Sequence, residues 1–200
     1  MLSLFDNKIV VSKTCSKYAT IMEAINSAAV GSEIYIEEGV YNESLTFAKD
    51  VTLIGTGNVE NIIINGENNS ALVISETNVQ IEGVTILNSG TDAAIQVTST
   101  GRAEIRNCII TSENSNGIIF TNSNKGSLID NCIIKNTGSD SIVISENSNP
   151  VISHCRIFNS NTAGILVITN GLGHILHSDI FENEFANIAI ATAGNPTIDH

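Results

Sequence analysis

An all-β solenoid, with parallel strands wound coil upon coil, is the fold that three features of this sequence predict. The first is a period. Ile81, Ile105, Ile129, Ile152, Ile175 and Ile198 fall into one column at steps of 23 or 24 residues. Leu72, Ile95, Ile118, Ile142, Ile165 and Ile188 form a second column, and Ile86, Ile110, Ile134, Ile157 and Ile180 a third. The second feature is alternation. Within each repeat, apolar residues recur at every other position, the period of a strand, and no helical period survives. The third is composition. The 42% apolar fraction is mostly Ile and Val, which suit pleated, half-buried surfaces. The chain also has 25 Asn and 15 Gly, which accept left-handed backbone at bends, and only 2 Pro. Three short strands and three bends complete one circuit. Stacked circuits lie about 4.7–4.9 Å apart, so like residues sit over like residues. A leucine-rich repeat has similar length, but its Leu and Asn consensus is absent.

Each element follows from this frame. Thr20-Ile21-Met22-Glu23 fits a capping box. Ile21, Ala24, Ile25 and Ala28 then form one apolar face, so a short amphipathic helix over 20–28 is expected to cover the N-terminal mouth of the stack. Residues 1–50 read as this cap and a first coil, and 51–200 as the repeats, about seven coils in one domain. The phrase N-P-V-I-S-H (149–154) returns as N-P-T-I-D-H (195–200), where the sequence stops within the motif. The expectation is a truncated longer protein, or an open C-terminal edge through which copies self-associate.

The segments C-R-I-F-N-S-N-T-A-G-I-L-V (155–167) and G-N-P-T-I (194–198) resemble the repeats of NosD-type periplasmic proteins and F-box β-helix proteins. Residues 51–200 look like the right-handed parallel β-helix of the pectin-lyase-like superfamily. The front of the chain is similar too, in Y-A-T-I-M-E-A-I-N-S-A (18–28), G-S-E-I-Y-I-E-E-G-V-Y-N-E-S (31–44) and V-T-L-I-G (51–55). The resemblance implies a right-handed coil and carbohydrate-binding or sugar-hydrolase kinship. The F-box relatives imply substrate presentation, though no F-box pattern is present. G-V-Y-N-E (39–43) is also similar to pectin methylesterases, whose further active-site blocks are absent.

Single columns carry the chemistry. Cys108, Cys132 and Cys155 share an interior column with Val84 and Ser178 and read as a ladder of buried free thiols. Adjacent-coil Cβ atoms are spaced too widely for easy disulfides, at about 4.5–5.5 Å. Cys15 stands apart from them. Asn107, Asn131, His154, His177 and His200 form a column that suits left-handed bends with stacked amides and imidazoles. His154, His177 and His200 are the alternative metal set, copper or zinc, but collinear ligands make a poor tetrahedron. Glu82, Arg106 and Asp130 read as a surface ion-pair rung.

Function is expected on the outward face of the strands around Gly117 and Gly164. Val73, Gln96, Ile119, Val143, Leu166 and Ala189 point out there, beside Ser75, Thr98, Thr121 and Ser145. Neither column holds the paired carboxylates of glycoside hydrolysis. In the lyases and hydrolases that the chain resembles, a long sheet carries Asp clusters with Arg or Lys. The first expectation is therefore a non-catalytic binding or scaffold module. It would recognise a protein or glycan through Gln96, Ile119, Val143 and Leu166, with no cofactor. The alternative is a polysaccharide lyase or glycoside hydrolase, with Asp92, Glu113 and Asp140 as its acids. The net charge of −12 argues against nucleic acid and anionic membranes. It also disfavours acidic polymers such as pectate unless calcium intervenes. No basic, apolar leader opens the sequence, so a cytoplasmic location is expected, leaderless secretion aside.

Overall fold

The computed structural model describes residues 8–14, 16–123 and 126–199. Its strands form three parallel sheets that share one axis. The first sheet has nine strands, from Ile9–Val11 and Ser32–Ile36 to His174–Leu176 and Thr197–Asp199. The second has seven, from Gly39–Asn42 to Asp179–Phe181. The third also has seven, from Leu45–Thr46 to Ala186–Ile190. Each circuit contributes one strand to each sheet, which makes a parallel β-helix of about 8 turns.

All three apolar columns are Cα partners in the ladders. Ile81 pairs with Ile105, Ile105 with Ile129, and so on to Ile198. The Ile86 and Leu72 columns are equally continuous. These side chains fill the lumen, and most have no solvent exposure. The about seven coils expected from the period become about eight because the leading steps are unequal. The first column begins at Ile9, Ile34 and Leu53, at steps of 25, 19 and then 28 residues to Ile81. An irregular spacing hides a period even where the geometry obeys it.

The helix α1 (Ile21–Ser27) covers the N-terminal mouth, with Ile21, Ala24 and Ile25 turned into the core. Only half of the expected capping box forms: the Glu23 amide donates to Thr20 Oγ1 at 3.2 Å. The next coil completes the cap. Glu43 accepts from the amides of Ile21 and Met22, both at 2.9 Å, so a carboxylate sits on the positive end of the helix.

The bend between first and second sheets is set by one left-handed residue per coil. Gly83, Asn107, Asn131, His154 and His177 have φ of 71, 54, 51, 52 and 45°. The corner before this series differs. Leu53 and Ile64 are 11 residues apart, against 5 between Ile81 and Ile86. The additional residues form a loop with a 3-10 turn at Val59–Asn61. Thr85 Oγ1 donates to the Val59 carbonyl at 2.8 Å, and the Asn58 amide donates to Glu38 Oε1 at 3.0 Å. Both bonds hold the loop down over the outside of the second sheet. Among the described residues, no helix is long and apolar enough to cross a membrane.

Candidate functional site

Two outer surfaces bring chemistry-bearing side chains together. On the third sheet, the column Val73, Gln96, Ile119, Val143, Leu166 and Ala189 is in unbroken register. All six are half-buried, with Ser75, Thr98 and Thr121 in the adjacent outward column. The Gln96 amide donates to Ser70 Oγ at 2.9 Å, which fixes it across the sheet edge. Ser145 turns away from solvent and donates to the Phe120 carbonyl. The four residues expected to bind therefore form one flat stripe.

The three acids stand apart. The ladder sets Asp140 beside Asn116, with Gly117 N donating to the Asp140 carbonyl. Asp92 is two coils below Asp140 and offset along the chain. Its carbonyl accepts from the Asn88 side chain. The Asp140 carboxylate accepts from Thr162 Oγ1 at 2.6 Å and the Ala163 amide at 2.9 Å. Glu113 lies on another bend, in a shallow hollow with Asn136, Thr137, Asn159 and Asn161. Among the described residues, no group of three or more His, Cys, Asp or Glu is placed to hold a metal ion. His154 and His177 stack with centroids 5.5 Å apart, while His200 lies outside the described residues, as does Cys15.

The second surface is a groove of about 600 Å³ along the corner between first and second sheets. Its floor is Ile109 and Ile133, neighbours on the second sheet. One wall is the overhanging turn with Val59 and Glu60. The other is the bend column Asn107, Asn131 and His154. The column is tied along the axis. Asn107 Nδ2 donates to Glu82 Oε1 at 2.9 Å, and Asn131 Nδ2 donates to Asn107 Oδ1 at 2.6 Å. His154 Nδ1 lies 2.9 Å from Asp130 Oδ1. The Ser153 hydroxyl, then the His154 ring, hold the Asp130 carboxyl below the usual carboxylate range.

Arg156 closes the far end of the groove. Its guanidinium lies 5.5 and 5.6 Å from the ring centroids of Phe158 and Phe181, which stack 5.0 Å apart. The expected ion-pair rung does not form, because Arg106 reaches sideways to Glu104 at 2.6 Å, and Arg102 pairs with the same carboxylate. Those two guanidiniums, Arg106 first, hold the Glu104 carboxyl down.

Beneath the groove run the thiols. Cys108, Cys132 and Cys155 are free and buried. Each Sγ donates to the carbonyl two residues back, at 3.1, 3.3 and 3.2 Å. Ser178 repeats the contact with its hydroxyl at 2.8 Å. The neighbouring thiol below and then burial push Cys132 and Cys155 well up. These are packing groups, not nucleophiles.

The bend column was legible in the sequence as left-handed backbone. Its role as a groove wall was not, because the opposite wall is a non-repeating loop. The long corner between V-T-L-I-G and I-I-I-N was the available signal.

No curated protein and no solved structure matches the sequence. Residues 51–200 match the family described as a right handed beta helix region. The match spans the coils that carry the thiol ladder, the bend column and the flat stripe, and the chain belongs to the right-handed β-helix family.

Proposed function

We propose that this chain is a non-catalytic recognition module that meets a partner protein or glycan on the flat stripe of the third sheet. The carrying observation is the register of Gln96, Ile119, Val143 and Leu166, half-buried and uncharged on one face. Ile119, Val143 and Leu166 are aliphatic, which favours a protein as the occupant. The test is comparative capture by quantitative mass spectrometry with wild type and a Val143→Glu, Leu166→Glu double variant. Partners enriched by wild type and lost by the double variant support the reading. An identical captured set from the two proteins sinks it.

A second reading is a carbohydrate-active lyase or hydrolase. It draws on the pair of His154 and Asp130 near Arg156, a base oriented by a carboxylate beside a cation. Turnover of polysaccharide by wild type, abolished in His154→Gln, would favour it over the first.

A further inference from the structure

We propose that the corner groove is a separate binding site for a short neutral glycan lying along the solenoid axis, one sugar ring per coil. The inference does not depend on the flat stripe, which occupies another sheet.

Four features carry it. The first is preorganisation. One wall is fixed by the Thr85 and Asn58 hydrogen bonds, and the other by the amide ladder from Glu82 to Asn131. The second is chemistry. Ile109 and Ile133 offer an apolar floor to the C–H faces of sugar rings. The ladder uses one amide hydrogen each of Asn107 and Asn131, leaving the second hydrogen and the Asn131 carbonyl oxygen for hydroxyl groups. Arg156 forms no ion pair among the described residues and is ordered by two rings, so its N–H groups are available at the groove end. Glu60 supplies an acceptor across the groove.

The third feature is repeat length. Wall groups recur at the coil rise of about 4.7–4.9 Å, close to the advance of a pyranose ring in an extended chain. An extended peptide repeats its side chains every two residues, at about 6.4–6.8 Å, and falls out of step within two coils. The fourth is charge. Carboxylates of Glu60, Glu82, Asp130 and Asp179 surround the groove and Arg156, within a chain of net charge −12. That field opposes an acidic sugar chain and leaves hydroxyl groups as the natural partners.

The test titrates the whole chain by calorimetry with neutral gluco-, manno-, xylo- and chito-tetraoses and with a galacturonan tetramer. Asn131→Gly removes the amide while keeping the left-handed bend, and Arg156→Gln removes the charge. Melting curves check that each variant is folded. The expected result is binding of a neutral tetramer, weakened about tenfold by either variant, as one or two lost hydrogen bonds imply. The Val143→Glu, Leu166→Glu protein should bind it normally. No neutral tetramer bound, a preference for galacturonan, or affinity unmoved by both groove variants overturns the proposal. Each of these leaves the flat-stripe capture result untouched.

Discussion

A residue in this fold is defined by its column. Asn131 has φ of 51° and passes its amide to Asn107, so it is both a bend and a rung. An L residue without a local polar side chain resists that backbone by about 1–2 kcal/mol. Asn131→Ala should therefore lower stability by about 1–2 kcal/mol or slightly more, and Asn131→Gly by less, in urea unfolding. Equal losses would mean that the ladder bond, and not the backbone, sets the cost. Such residues were readable because Asn and His recur in one column. Arg106 was misread for the opposite reason. Register puts Glu82 and Asp130 on either side of it, yet a flexible guanidinium chooses Glu104 on its own strand.

At the scale of the element, the repeats were legible and the departures from repetition were not. The strands follow from alternation, and α1 from its apolar face. What fixes α1 in place is Glu43, whose role no local pattern announces because it lies on the coil that follows. Replacing Glu43 by Gln should cost about 1–2 kcal/mol in denaturant unfolding, since two amides at the helix start lose a charged acceptor. An unchanged midpoint would show that the helix is held by its apolar contacts alone. The Val59–Asn61 overhang makes the same point. It has no counterpart in other coils, so sliding the chain against itself erases it, and with it the groove. The flat stripe, built only from repeating strands, was placed residue by residue.

At the scale of the whole molecule, each coil touches only its neighbours, and burial falls toward the last one. Ile129 is fully buried, while Ile198 is 47% exposed in the same column. Ile129→Ala should cost about 2–5 kcal/mol, the usual loss for a cavity in a packed core, and Ile198→Ala well under half of that. Thermal unfolding of the two variants measures the gradient, and similar losses would refute it. The lumen tolerates length change better than volume change. Between Ile110 and Ser112 the pairing jumps from Ile134 to Thr137, and the surplus residue is Asn136. Later coils keep that bulge: Asn159 and Glu182 stand in its place with φ of 57 and 54°. A single inserted codon was thus taken up at a corner and copied upward, without disturbing the isoleucines inside. Lineages of this architecture can drift in circumference while conserving their bore.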